Sequence, residues 1–271
     1  MQSDPEADLS YQTHGEGFPL LLLHGFTGSS LNWQHVVPAL GARHRLLVPD
    51  IIGHGRSPAP SDPQRYRMDE AVKDLLALLD TEGIERFDLL GYSMGGRVAL
   101  HLALAVPERV RLFVLESASP GIDDLDEREA RRASDNRLAD RIEQEGVEWF
   151  SDFWANQALF ASQASLPSEL RSQIRQQRLS QRPHGLANSL RGMGAGQQES
   201  LWPELPRLSM PVLLIAGELD PKYVTISQNM AAVLPQAQLQ IVPAAGHTVH
   251  LEQAALYTSI VDGFFAAHER L

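Results

Sequence analysis

Short apolar runs bounded by turn formers recur along the first part of the chain. Leu20–Leu23 ends at His24-Gly25, Leu46–Val48 at Pro49-Asp50, Phe87–Leu90 at Gly91, and Leu112–Leu115 at Glu116. Such runs lack the in–out alternation of a half-exposed strand, so they predict strands covered on both faces. Helical periodicity fills the gaps. Met68–Leu79 gathers Ala71, Val72, Leu75, Leu76 and Leu79 on one side. Gly95–Ala105 does the same with Val98, Ala99, Leu102 and Ala103 before Pro107 stops it. Strands alternating with helices predict an α/β fold: a mostly parallel sheet with right-handed crossovers and helices on both faces.

The pattern changes between about Pro120 and Trp202, where the chain is polar and helical with no clear strand. Asp124–Glu145 is charge-rich, Gly146–Phe160 carries Trp149, Phe150, Phe153, Trp154 and Phe160, and Ser168–Arg191 is rich in Gln and Arg. Strands resume at Val212–Ala216 and Leu239–Val242, with a helix near Thr225–Leu234 and a last one from about Leu251 to Ala267. The organisation expected is a core made of residues 1–120 and 203–271, interrupted by a helical insertion over 121–202. A chain of 271 residues is ample for one such domain.

Composition narrows the function classes. The net charge of −11 disfavours nonspecific nucleic-acid binding, which needs a basic surface. The absence of Cys excludes disulfides, thiol nucleophiles and cysteine-held metals. No apolar run approaches a membrane span, and the acidic start, Met1 to Asp8, has neither the basic nor the apolar part of a secretory leader. These features predict a cytoplasmic protein. Oligomeric state leaves no mark in the sequence. Of the 23 basic residues only Lys73 and Lys222 are lysines. Genomic base composition explains such a bias, but so does a need for planar forks that grip carboxylates.

Gly91-Tyr92-Ser93-Met94-Gly95-Gly96 follows a predicted strand and opens a predicted helix. Small residues around Ser93 permit a cramped turn that lifts its hydroxyl above the sheet and points the following N–H groups at a reacting atom. His24-Gly25-Phe26, at the end of another strand, is suited to supply a second donor. An oxyanion hole from the N–H groups of Phe26 and Met94 is therefore expected, with His24 itself bracing its loop. A serine hydroxyl is a weak nucleophile and needs a base. His247, in Ala245-Gly246-His247 between the last strand and last helix, is the candidate, with His250 as the alternative. The orienting carboxylate is Asp220, just after Val212–Ala216, or Glu116 after an earlier strand. Gly53-His54-Gly55-Arg56-Ser57 lacks the spacing of a metal site and reads as a loop at the entrance.

Together, His24-Gly25-Phe26, the Asp50…Ser57 loop, the turn at Ser93, and the order Ser93…Asp220…His247 resemble the α/β-hydrolase superfamily over nearly the whole chain, with 121–202 as its cap. Finer segments resemble the 2-succinyl-6-hydroxy-2,4-cyclohexadiene-1-carboxylate synthase family of menaquinone and phylloquinone biosynthesis. These are Gly91 to Arg97, Glu116-Ser117-Ala118-Ser119-Pro120-Gly121, Leu190 to Gln198 with Leu201-Trp202, and Gly246 to Glu252. The third segment departs from the family form at Ala195, where Thr is usual, and at Glu199, often Pro.

That resemblance implies a lyase that needs no cofactor. It removes a proton beside a succinyl ketone and expels pyruvate from a small molecule bearing three carboxylates. By motif position it also implies substrate contacts from Arg97, Arg131, Arg178, Tyr92 and Trp154. The residues are compatible with this. Arg97 lies about one helical turn beyond Ser93 and can face a pocket. Between residues 161 and 200 the only acids are Glu169 and Glu199, against Arg171, Arg175, Arg178, Arg182 and Arg191. A solvated helix face would look the same, and Trp154 is equally suited to the interior of the cap. A serine esterase or carbon–carbon bond hydrolase would use the same triad without needing the arginine cluster. A ligand receptor with a vestigial site is the other alternative, and nothing in the sequence favours it, since Ser93, Asp220 and His247 are all present.

Overall fold

The apolar runs become strands of a single seven-stranded sheet in the computed structural model, which describes residues 8–269. Residues 1–7, most of the start read for a leader, lie outside the described residues. The strands are β1 (Tyr11–His14), β2 (Phe18–Leu23), β3 (His44–Pro49), β4 (Phe87–Tyr92), β5 (Val110–Glu116), β6 (Val212–Gly217) and β7 (Ala237–Val242). They lie in the order β1-β3-β2-β4-β5-β6-β7. All neighbours are parallel except β1 and β3, which run antiparallel with Tyr11 opposite Pro49 and His14 opposite Leu46. Sequence patterning does not reveal β1. It is an edge strand of four residues with alternating exposure and no apolar run.

Alternation along β2 shows why its neighbours read as unbroken apolar runs. Leu21 and Leu23 face a cluster built with α2 (Met68–Thr81) and α3 (Met94–Ala105). Leu20 and Leu22 face the other side, with Leu40 of α1 (Val37–Leu40) and Tyr257, Val261 and Phe264 near the C-terminus. Each strand residue therefore has an apolar partner layer, whichever way its side chain points.

The insertion between β5 and β6 contains helices and connecting turns but, among the described residues, no strand. It contains α4 (Leu125–Ala155), α5 (Ser168–Leu179) and α6 (Pro183–Met193), with a 3-10 stretch over Ala158–Ser165. Helix α4 is broken at Gly146, whose φ of 82° and ψ of 178° suit only glycine. The stretches read as 124–145 and 146–160 meet at that residue. Ala139, Ile142 and Phe150 of α4 pack on Leu186, Ala187 and Leu190 of α6 in a separate small core. After β6 come α7 (Pro221–Val233), α8 (Val249–Glu252) and α9 (Ala254–Ala267). One final helix from Leu251 is thus corrected to two, divided at Gln253 (φ −136°, ψ 50°). Just before the division, the Glu252 carboxylate turns back to accept the N–H groups of Gly246 and Thr248, at 2.7 and 3.1 Å. Helix α8 thereby clamps the loop that carries His247.

Two histidines sit fully buried where β2 and β3 end, with ring centroids 5.3 Å apart. Burial pushes the His54 pKa down to about 3, helped by the neighbouring His24, and burial lowers His24 too. Both rings are neutral in the fold and gain a proton in the unfolded chain near pH 6.5. Between those limits the unfolded state binds more protons, so stability falls as pH falls through the window from about 6.5 towards 3. Urea unfolding midpoints should drop between pH 7 and pH 4.5. His54→Gln should shrink that drop while lowering the midpoint at pH 7. An unchanged pH dependence in the variant would exclude this origin.

Candidate active site

The site is assembled at the carboxyl ends of β4, β6 and β7. Ser93 follows β4 in a strained conformation, φ 51° and ψ −110°, that side-chain-bearing residues rarely adopt. Its N–H donates to the Glu116 carbonyl at 2.9 Å, and its carbonyl accepts the Arg97 N–H at 3.1 Å, so strand and helix hold it from both sides. A Cβ at Gly95 would collide with the carbonyl oxygens of Leu23 and His24, and one at Gly91 would meet Gly96 Cα at 2.6 Å. Those glycines let α3 start against the sheet.

The expected three residues come together. His247 Nε2 lies 2.9 Å from Ser93 Oγ, and His247 Nδ1 lies 2.7 Å from Asp220 Oδ2. Asp220 is also the N-cap of α7. Its Oδ1 accepts the Tyr223 N–H at 3.3 Å, which fixes the carboxylate and leaves the other oxygen for the imidazole. An Nδ1–H facing Asp220 leaves the Nε2 lone pair on the Ser93 hydroxyl, the arrangement needed to take its proton. His247 is 1% exposed. The alternatives pair with each other: His250 Nδ1 lies 2.9 Å from both Glu116 carboxylate oxygens, fully buried on the far side of the Tyr92 ring. Among the described residues no serine hydroxyl bonds that second pair.

Met94 opens α3, so its N–H is one of the donors a helix start leaves free. Phe26 lies in the turn after β2, and its N–H has no intramolecular acceptor among the described residues. His24 braces this turn. Its Nδ1 lies 2.8 Å from the Gly25 carbonyl, and its Nε2 accepts the Ile51 N–H at 2.9 Å.

The five implied contact residues divide. Arg178 is 6% exposed and pairs with no carboxylate among the described residues. Its guanidinium lies over the Phe160 ring, 5.4 Å from the centroid. Burial lowers its pKa, opposed by proximity to Tyr92. Arg178, Tyr92, Phe26 and Phe160 line one chamber of about 30 Å³ beneath the insertion. Arg97 donates from Nη1 to the Met193 carbonyl and Gln198 Oε1, both at 2.7 Å, and burial pulls its pKa down to about 10. Arg131 is half-exposed and donates to Asp135 at 2.8 Å. Trp154 packs on Phe26, Phe150 and Phe160 at 5.4 to 5.8 Å, and its indole N–H is buried without an acceptor among the described residues. It therefore belongs to the cap interior and borders the site as well. The Gly53–Ser57 loop anchors the insertion: Arg182 donates to the Ser57 carbonyl, and Gly55 N–H donates to Gln181 Oε1 at 3.0 Å. No group of three His, Asp or Glu side chains among the described residues is placed to hold a metal ion, and no described helix is long and apolar enough to cross a membrane.

The family model for the alpha/beta hydrolase fold matches residues 19–254. A Bacillus subtilis protein provisionally named 2-succinyl-6-hydroxy-2,4-cyclohexadiene-1-carboxylate synthase is 44% identical over 92% of this chain and 90% of its own. The enzyme of that name from Pectobacterium atrosepticum is 33% identical over 94% of this chain and 98% of its own. The chain belongs to the α/β-hydrolase family, in its 2-succinyl-6-hydroxy-2,4-cyclohexadiene-1-carboxylate synthase branch. Among solved structures, MenH from S. aureus superposes with a TM-score of 0.92 at 35% identity, covering 96% of this chain and 99% of that one. A thermophilic esterase from Thermogutta terrifontis gives 0.87 at 29%, covering 97% and 94%.

Two residues of this synthase-branch site escape sequence reasoning. The Tyr223 ring packs 4.6 Å from His247, and Thr248 Oγ1 bonds the Tyr92 hydroxyl at 3.0 Å while accepting from Gln163 at 2.9 Å. Tyr223 lies three residues after Asp220 and Thr248 lies inside the Gly246 to Glu252 segment, but neither carries a chemical signal of its own in the sequence. The backbone strain at Ser93 has a measurable consequence. Glycine adopts φ near 50° freely, whereas alanine keeps the strain, worth about 1 kcal/mol or more. Inactive Ser93→Gly should therefore melt about 2 °C above Ser93→Ala by calorimetry. Equal melting would mean that the turn stores no strain.

Proposed function

We propose that the chain eliminates pyruvate from 2-succinyl-5-enolpyruvyl-6-hydroxy-3-cyclohexene-1-carboxylate, giving 2-succinyl-6-hydroxy-2,4-cyclohexadiene-1-carboxylate, in menaquinone or phylloquinone biosynthesis. Ser93 acts as the general base. Its hydroxyl proton passes to His247 Nε2 as Ser93 Oγ takes the proton on the carbon beside the succinyl ketone, and Asp220 stabilises the imidazolium. The electron pair from that C–H bond moves onto the ketone as an enolate, met by the N–H groups of Phe26 and Met94. It then returns through the ring double bond and breaks the C–O bond to the enolpyruvyl group, which leaves and takes up a proton as pyruvate. No water enters and no electrons are lost or gained, so the balance needs no cofactor.

The observation that carries this reading is Arg178. A guanidinium buried without a carboxylate partner is costly unless a ligand supplies one. In a chain of net charge −11, a desolvated arginine beside Tyr92 and Phe26 marks the place for an anion. Arg97 retains donors beyond its two fixed acceptors, and Arg131 lies near enough to interact with it electrostatically. These three suit a substrate with three carboxylates. Tyr92 and the Trp154 N–H complete the contacts. The insertion over 121–202 acts as the cap. A chamber of about 30 Å³ is far below the ~300 Å³ or more of ordinary ligand sites, so the cap lifts for entry. A cleft of about 470 Å³ between Leu31–His35 and α5 shares Asn32, Ile174, Gln177 and Leu251 with the chamber and supplies the route. The enzyme acts in the cytoplasm on this small polyanion, with no role for nucleic acid.

Pyruvate release from the enolpyruvyl substrate, followed with lactate dehydrogenase, tests the reaction. Wild-type protein should turn over, and Ser93→Ala should lose about 10³-fold or more in kcat. Fast p-nitrophenyl acetate hydrolysis with a trapped acyl-serine and no pyruvate would favour an esterase instead. Arg178→Met should raise KM about 10- to 100-fold, the worth of one charge-assisted contact. A silent Arg178→Met would remove the electrostatic basis of the assignment.

A further inference from the structure

Gln181 lies between α5 and α6 and is 4% exposed, unusual for a glutamine in a connection. Its amide N–H donates to the carbonyls of Gly28, at 3.0 Å, and Thr27, at 3.3 Å, while its amide oxygen accepts the Gly55 N–H at 3.0 Å. One cap side chain thus ties two core loops together. The first of these loops is the turn that follows Phe26, and Thr27 there is held at φ 69°, left-handed backbone that a β-branched residue strongly resists. The turn is closed by Gly28 N–H to the Gly25 carbonyl at 3.0 Å. Without an outside tie, relaxation of Thr27 would rotate the neighbouring peptides, among them the one carrying the Phe26 N–H.

We propose that Gln181 is a positioning residue that holds the strained Phe26–Gly28 turn so that the Phe26 N–H points into the oxyanion hole, and that seating of the cap therefore assembles the hole. This rests on the reading of Phe26 and Met94 as the oxyanion donors. Arg178 lies three residues earlier and faces the chamber, so the segment that grips the anion also aims the donor. When the cap lifts to admit substrate, Gln181 leaves its carbonyl partners and the turn is free to relax. Closure restores both contacts together, and the open enzyme is catalytically slack.

Two variants separate the halves of the tie. Gln181→Met fills the space and forms neither bond. Gln181→Glu keeps an acceptor for Gly55 but, ionised, offers no donor to the Thr27 and Gly28 carbonyls. Two readouts are used: the kcat and KM of pyruvate release, and the rate at which diethyl p-nitrophenyl phosphate phosphorylates Ser93 in the unliganded enzyme. In that labelling step the Ser93 hydroxyl proton passes to His247 Nε2, the P–O bond to Ser93 Oγ forms as the P–O bond to the aryl group breaks, p-nitrophenolate leaves, and the phosphoryl oxygen occupies the oxyanion hole. Both variants should lose about 10- to 100-fold in kcat and in labelling rate, with KM within about threefold of wild type. The Gln181→Glu deficit should narrow as pH is lowered, because a protonated carboxyl regains the donor. Wild-type labelling in either folded variant, or a raised KM with kcat unchanged, would overturn the proposal. Loss of the fold in both variants would overturn it too, since Gln181 would then be structural. Labelling does not depend on the natural substrate, so failure of the lyase reading appears separately, as wild-type protein that labels but releases no pyruvate.

Discussion

The whole arrangement depends on how closely the first turn of α3 approaches the ends of β2 and β5. Gly95 lies against the Leu23 and His24 carbonyls, and Gly96 against Ala118. Any side chain at either position would push the helix off the sheet. That closeness forces the backbone at Ser93 into its left-handed conformation, and it brings the Met94 N–H beside the turn holding Phe26. The serine hydroxyl and the Met94 donor therefore share one origin. They are products of a single packing constraint, and the strain at Ser93 is its local cost, while Thr27 is strained in the separate turn that Gln181 holds.

Electrostatics divides the many arginines by what they touch. Arg191 is neutralised by Asp140 and Glu143, Arg175 by Asp152 and Arg132 by Glu129, while Arg182 spends its donors on loop carbonyls. These hold the cap together or pin it down. Arg178 and Arg97 differ, because burial rather than pairing dominates their surroundings and depresses both pKa values. A guanidinium keeps its charge even so, which a buried lysine would not do as readily. The near-absence of lysine thus has one functional component, two desolvated arginines, inside a larger number with ordinary structural partners.

The sequence made most of this legible because the chemistry sits at breaks in hydrophobic pattern. Ser93, Asp220 and His247 each follow an apolar run and precede a helix, so topology alone brings them to the carboxyl end of the sheet. Gln198 belongs to a segment that looked specific, and it holds Arg97. Other features were hidden for physical reasons. Strand β1 survives on backbone pairing with β3 and carries no apolar run. The choice between Glu116 and Asp220, or His250 and His247, turns on distances across separate strands. Gln181 and Tyr223 act through contacts with segments far away in the chain, which no local spacing encodes.

The same serine, histidine and aspartate serve hydrolases of this fold, so the reaction must be decided by what surrounds them. In the elimination proposed here the substrate is fixed by its carboxylates, and the carbon facing Ser93 Oγ is then the one bearing the acidic hydrogen instead of the carbonyl carbon. Arg178, Tyr92 and Phe26 line the chamber beneath the cap, so the anion they hold sets which carbon faces the serine. An enolate formed there has a leaving group already placed to depart through the ring double bond. In this reading, arginines that orient the substrate turn an esterase-like relay towards carbon acid chemistry without a change in any of its three residues.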